Sequence, residues 1–352
     1  MTHAPSPSIS PRPHGISKTA IWVAAARAIG AREPDPKARN PDRMAEALLG
    51  DPARLELQHP IVDALNSSYE QAMQDFELSG LVRAMTERTR FIDEALERAI
   101  GAGAVQVLIP GAGLDSHAYR CGELLAGVRI FEVDRPQTLE FKKRRVDEAL
   151  GGPPANLTYV PLDLENEEMP VALARHGYDA GRQTFVILEG VTMYLPEQAL
   201  RALFGFIASH PKGSSVVFDF ASRPMVAGIE HLDLATVPPA VRPTFERFLA
   251  LIENEPWLFG FPVDGEKEFL TSVGLTHRET VTIGGEESSK RYLTRADGTT
   301  VGAEGQAKAE ALRKAATAKL AEQMSPEQVQ KMEEAAREQQ RQMAYRIAEA
   351  VR

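Results

Sequence analysis

Residues 107–120, VLIPGAGLDSHAYR, pass from an apolar run through two closely spaced glycines into a polar, helix-compatible stretch. The spacing predicts a buried strand over 104–111 that turns sharply into a helix. Gly111 and Gly113 lack a β-carbon, and Ala112 between them is small, so the backbone of this turn can approach a ligand closely. The pattern is G-x-G-x-x-S and not the G-x-G-x-x-G of the dinucleotide fingerprint, so by itself it does not choose the ligand.

The sequence downstream repeats the same alternation. VRIFEVD (128–134), LTYVPLD (157–163), TFVILEG (184–190) and SSVVFDF (214–220) are short apolar runs bounded by turn residues. Helical patterns over 136–150, 165–176 and 196–209 separate them. Strands alternating with helices imply right-handed crossovers and a parallel sheet. The predicted fold is therefore α/β, a Rossmann-like, doubly wound, mostly parallel sheet. Ligands of such sheets sit at the carboxyl ends of the strands, where Gly111, Asp134, Asp163 and Glu189 fall. Asp134 closes the second strand 21 residues after Gly113, the position from which a carboxylate accepts hydrogen bonds from ribose hydroxyls. A helix cap ahead of Pro136 is the plainer role for that aspartate. Glycine turn and acid together predict an adenosine-containing ligand, NAD or S-adenosylmethionine.

The flanks read differently. Residues 1–16 are polar and proline-rich and are expected to be a disordered leader. Residues 17–100 form a helical cap: Ser17 caps a helix carrying Ile21, Trp22, Ala25, Ala28 and Ile29, a short helix covers 43–49, and a long helical stretch over 61–100 breaks near Ser79–Gly80. The core spans 101–300. Within it, 221–275 is an insertion, rich in proline and then in aromatic residues (PWLFGFP, 256–262), that shapes a substrate lid. THRETVTI (276–283) and KRYLTRA (290–296) alternate as antiparallel edge strands. Residues 301–352 shift to Ala, Glu, Gln, Lys and Arg and are expected to be a helical extension of two helices. Their sparse apolar positions (Leu312, Leu320, Val329, Met332, Met343, Ile347) suit either a solvated appendage or a homo-oligomer contact.

Composition limits the function. The 352 residues carry a net charge of −9, so broad nucleic-acid binding is not expected. No apolar run reaches the roughly 18 residues of a membrane span, and the N-terminus lacks a secretory apolar stretch, so a cytoplasmic protein without membrane contact is expected. The single cysteine, Cys121, excludes an internal disulfide and a cysteine zinc cluster, and no metal is expected.

Taken in order, VLIPGAGLDSHAYR, FEVDRPQTLEFKKRRV (131–146), VPLDLENEE (160–168) and VILEGVTMYLPEQAL (186–200) resemble the leucine carboxyl methyltransferase family. The bacterial branch with polyketide O-methyltransferases of the tetracenomycin type is the nearest in pattern. The resemblance covers about 17–275 and stops before the tail. It implies a class I methyltransferase fold and S-adenosylmethionine as cofactor. It places the methionine part on Gly111, Ala112 and Gly113, and the ribose on Asp134. Asp163 and Leu164 would flank the adenine, and Glu189 would meet the amino-acid end. Lys18 and Arg88, with Arg90 as the alternative, would reach the methionine carboxylate, as charge-assisted hydrogen bonds require. Lys18 also suits a solvated helix start, and Arg88 a surface pair with Glu87 or Asp93. Where the family commonly has Thr-Arg, this chain has Ser116–His117.

The implied reaction is methylation of a carboxylate or hydroxyl, on a small polyketide-like molecule or on a protein C-terminus. A carboxylate acceptor needs no base, whereas a hydroxyl is helped by one, for which His117 and Tyr194 are the candidates. Two other readings stay open from the residues alone. A nicotinamide oxidoreductase lacks its third glycine here, and an inactive scaffold would sit oddly with intact Asp134, Asp163 and Glu189.

Overall fold

A computed structural model describes residues 16–51, 57, 59–164, 168–237, 239, 241–307, 311 and 325–352. Residues 1–15 of the expected leader and residues 308–310 and 312–324 of the tail, with Leu312 and Leu320, lie outside the described residues.

Helices precede the sheet. They are α1 (Lys18–Gly30), α2 (Ala45–Leu49), α3 (Pro60–Leu65), α4 (Tyr69–Gln74) and α5 (Phe76–Gly101). The chain between 61 and 100 does not break at Ser79–Gly80, which lie inside α5. It breaks at two caps instead. Ser68 forms a capping box with Gln71, and Asp75 accepts the backbone N–H groups of Glu77 and Leu78. A satisfied cap outweighs one exposed glycine, whose helix cost is only about 1 kcal/mol.

Among the described residues seven strands form one sheet in the order β3-β2-β1-β4-β5-β7-β6. Strands β1 (Gln106–Pro110), β2 (Arg129–Asp134), β3 (Leu157–Pro161), β4 (Thr184–Leu188) and β5 (Ser215–Ala221) pair in parallel. Strand β1 has β2 on one side and β4 on the other, so the chain reverses its direction of winding there. A crevice opens at such a switch point. Helices α6 (His117–Arg120), α7 (Pro136–Leu150), α8 (Met169–Arg175) and α9 (Glu197–Ala208) connect the strands. Lys142 of α7 pairs with Glu132 of β2 at 2.6 Å, both side chains fully buried, which fixes the strand that ends in Asp134.

The insertion after β5 supplies α10 (Arg223–Glu230) and α11 (Arg242–Ile252), followed by α12 (Glu266–Ser272) and β6 (Thr276–Thr282). Two expectations fail beyond it. KRYLTRA is not a strand: Glu286–Tyr292 is helix α13. Buried Glu87 explains the difference, because it accepts the Gly284 N–H and the Ser288 and Ser289 hydroxyls and so fixes the helix start. The tail is not wholly helical either. After α14 (Pro326–Gln342), residues Tyr345–Val351 form β7, antiparallel between β5 and β6. Ile347, Ala348 and Ala350 are fully buried there, and Glu349 is held by Arg98 at 2.6 Å and Arg278 at 2.8 Å. No helix among the described residues is long and apolar enough to cross a membrane.

Candidate active site

A cavity of about 370 Å³ lies at the carboxyl edge of the sheet, lined from the turns after β1, β2, β3 and β4, from α1 and α5, and from the insertion. That is within the size range of a small-ligand pocket. Gly111 and Gly113 have φ of 69° and 43°, the left-handed region that only glycine enters without strain. A β-carbon on Gly111 would also lie 2.6 Å from Val191 Cγ2. The turn is therefore a cradle that needs glycine for conformation and for space.

Asp134 accepts the backbone N–H of Gly113 and of Arg135, each at 2.7 Å, so it ties the end of β2 to the glycine turn. Burial raises its carboxyl above the usual aspartate value, against those two hydrogen bonds. Its remaining lone pairs suit a sugar diol. Asp163 and Leu164, after β3, line the same wall.

The fourth side is a buried ionic cluster. Glu189 pairs with Arg27 at 3.0 Å and with Arg88. Arg88 also pairs with Asp219 of β5 at 2.7 Å and donates to the Tyr345 hydroxyl at 3.0 Å. Tyr345 in turn donates to Asp219, and Arg27 reaches Asp42 at 2.9 Å. Burial opposes ionisation of Glu189, yet Arg88 and Arg27 hold its carboxyl below the usual range. The Arg88 Nε–H is buried without a hydrogen-bond partner. An unmet donor beside a paired carboxylate suits a ligand that brings both a carboxylate and an ammonium. With the glycine cradle and Asp134, the residues present fit S-adenosylmethionine.

Arg88 is thus a buried cluster member and not a surface partner of Glu87 or Asp93. Arg90 points elsewhere, to the backbone carbonyls of Arg39 and Pro36. Lys18 is corrected: it is exposed and does not line the cavity, whereas Arg27, two helical turns on and buried, does. Sequence reading missed Arg27, Asp219 and Tyr345. Asp219 carried a signal, an acid between two phenylalanines of an apolar strand, the same one that marked Glu189.

His117 is corrected as a base. It is 2% exposed and outside the cavity lining, clamped between Asp115 at 2.7 Å and Asp93 at 3.1 Å, with Arg120 also on Asp93. Burial lowers its pKa, but the Asp115 carboxylate wins and raises it to about 9. A protonated imidazole cannot take a proton at neutral pH, so His117 braces the glycine turn. A raised histidine pKa stabilises the fold below the unfolded value of about 6.5 and loses that contribution as pH climbs towards 9. Between these limits wild type is expected to lose up to about 1.4 kcal/mol more per pH unit than His117→Gln. Urea unfolding of both proteins at pH 6, 7.5 and 9 checks this.

Tyr194 lines the cavity, with its hydroxyl beside Thr19 and Trp257. Burial pushes its phenol up to about 12, so it is neutral at pH 7. An aromatic arc continues from it. Trp22 of α1 packs on Phe248 of α11 (6.3 Å between centroids), Phe248 on Trp257 (5.8 Å), and Trp257 stacks on Tyr345 of β7 (6.5 Å, 23° between planes).

This sheet, with an adenosyl-type cradle at its switch point, is that of a class I S-adenosylmethionine-dependent methyltransferase. Residues 20–208 match the leucine carboxyl methyltransferase family, to which the chain belongs. It is similar to three bacterial proteins that each bear the name "Putative S-adenosyl-L-methionine-dependent methyltransferase". The Mycolicibacterium vanbaalenii protein is 34% identical over 58% of this chain and 67% of its own. The Mycolicibacterium gilvum protein is 32% identical over 66% and 74%, and a Mycolicibacterium smegmatis protein 33% over 68% and 77%.

Proposed function

We propose that the chain transfers the methyl group to an oxygen of a small acceptor with a flat, partly aromatic body. The single observation that carries this is the arc of Trp22, Phe248, Trp257 and Tyr345, which belongs to the same cavity as the cofactor cradle. Aromatic walls favour stacked or edge-on rings. The indole N–H of Trp22 is buried without a hydrogen-bond partner, so an acceptor bearing a further oxygen finds a donor here.

Asp134, Asp163, Leu164, Glu189, Arg88, Arg27 and the glycine turn hold the cofactor in this reading. Bound S-adenosylmethionine supplies an activated methyl group. The chain's own part is to orient the acceptor in line with it and to exclude water.

Protein incubated with S-[methyl-³H]adenosylmethionine and a panel of aromatic acids, phenols and peptides with free C-termini tests this. Label is expected in aromatic compounds and not in peptides. Trp257→Ala is expected to raise the acceptor KM at least tenfold while leaving S-adenosylhomocysteine affinity, read by calorimetry, within twofold. Transfer to peptides alone would sink the reading.

A further inference from the structure

The cavity's charges go further and choose between the two kinds of acceptor oxygen. Three guanidinium groups line it, and each already has a carboxylate. Arg27 and Arg88 share Glu189, with Asp42 and Asp219 behind them. Arg135, beside the ribose aspartate, faces Glu255 at 3.8 Å. Lys18 is exposed and outside the lining. Among the described residues, the lining therefore offers an acceptor carboxylate no cation beyond those that the cofactor's own carboxylate needs. It offers carboxylates instead: Asp134, Asp163, Glu189 and Glu255 all line the cavity. A second anion placed among them would find no unpaired cation to offset its desolvation.

Glu255 follows α11 and is largely buried, with 12% of its side chain exposed. Its Oε2 accepts the Ser17 and Thr19 hydroxyls, both at 2.7 Å. Thr19 in turn lies beside the hydroxyl of Tyr194. Carboxylate, threonine hydroxyl and tyrosine hydroxyl thus lie next to one another in the cavity wall, together with the aromatic arc. Nothing in a carboxylate acceptor would use them, because such an acceptor arrives without a proton. A hydroxyl acceptor must lose one.

We propose that the methyl acceptor is a hydroxyl on an aromatic body, and that Glu255 is the terminal acceptor of its proton through Tyr194 and Thr19. This rests on the aromatic-acceptor reading above. The acceptor oxygen forms its bond to the methyl carbon as the carbon–sulfur bond breaks and the electron pair stays on sulfur. The hydroxyl proton passes to the Tyr194 oxygen, the Tyr194 proton to Thr19, and the Thr19 proton to Glu255. The products are a methyl ether, S-adenosylhomocysteine and a protonated Glu255. Glu255 is also the group that turns a carboxylate away.

Matched pairs of naphthols and naphthoic acids, and of hydroxy- and carboxy-anthraquinones, provide the test. Each compound is titrated against S-adenosylhomocysteine-loaded protein by calorimetry and assayed with labelled S-adenosylmethionine. The label is then treated with alkali, which cleaves methyl esters and spares ethers. Alkali-stable product from the hydroxyl compounds, with the carboxylates bound at least tenfold more weakly, is the expected result. Glu255→Gln is expected to lower kcat on the hydroxyl compounds at least tenfold, with acceptor KM and S-adenosylhomocysteine affinity within threefold of wild type. It should also narrow the binding gap between the pairs. Thr19→Val interrupts the relay without removing the charge, so kcat should fall while the binding gap stays. Alkali-labile product from the carboxylates would overturn this proposal and leave the aromatic-acceptor reading standing. Protein that binds S-adenosylhomocysteine but neither binds nor methylates either class would overturn both.

Discussion

Arg88→Met is expected to destabilise the protein by about 3–5 kcal/mol and to abolish measurable binding of S-adenosylmethionine. The guanidinium is buried between Glu189 of the turn after β4 and Asp219 of β5, and it also donates to Tyr345 of β7. Removing it leaves Asp219 with only the Tyr345 hydroxyl and the Gly190 N–H as partners. Burial already raises that carboxyl above its usual value, and Arg88 is the largest influence opposing it. A buried carboxylate stripped of its cation is the costly half of a broken pair. The lost affinity has a separate origin, since in the proposed placement the methionine carboxylate loses its guanidinium. Arg88→Lys keeps the charge without the planar fork and is expected to restore much of the stability and little of the affinity. Urea unfolding and calorimetry with S-adenosylhomocysteine separate the two effects. Wild-type affinity in a folded Arg88→Met protein would refute this placement of the cofactor.

Asp134→Ala acts on the other end of the ligand. Its carboxylate joins β2 to the glycine turn through Gly113 and Arg135, and in the proposed placement its remaining lone pairs meet the sugar. Hydrogen bonds to a charged group contribute about 1.5–3 kcal/mol each. Loss of the sugar contacts is therefore expected to weaken S-adenosylhomocysteine binding about 100-fold or more. Adenosine alone separates the two ends. Asp134→Ala should weaken it by a similar factor, whereas a folded Arg88→Met protein should bind it as wild type does. Equal losses of adenosine affinity in both variants would mean that the turn had collapsed.

What the sequence made legible follows from which forces act locally. Strands β1, β2, β4 and β5 are buried along most of their length on both faces, so each is an apolar run that needs no partner to be recognised. Their order along the chain then fixes where Gly111, Asp134, Asp163 and Glu189 meet. Strand β7 was hidden because YRIAEAV has a composition that suits a helix. Its strand state comes from partners far along the chain, Asp219 for Tyr345 and Arg98 for Glu349. The same distance hid the ionic cluster. Arg27 looks like an ordinary basic residue in the last turn of a helix, and only its long-range partners, the Leu114 carbonyl and Glu189, show it to be buried. His117 shows the opposite error. A histidine near a ligand turn invites a chemical role, but Asp115 two residues before it and Asp93 on α5 had already taken both ring nitrogens.

Strand β7 has a consequence for the birth of the molecule. It leaves the ribosome after β6 yet slots between β6 and β5. Until it emerges, β5 has β4 on one flank and a bare row of amides and carbonyls on the other, the kind of edge on which nascent chains stick together. The cavity is equally unfinished in that interval, because Tyr345, which lines it, is the first residue of the missing strand. A polypeptide stalled before residue 345 should therefore be both an aggregation hazard and unable to hold its ligand, so that completing the sheet and gaining competence are one event.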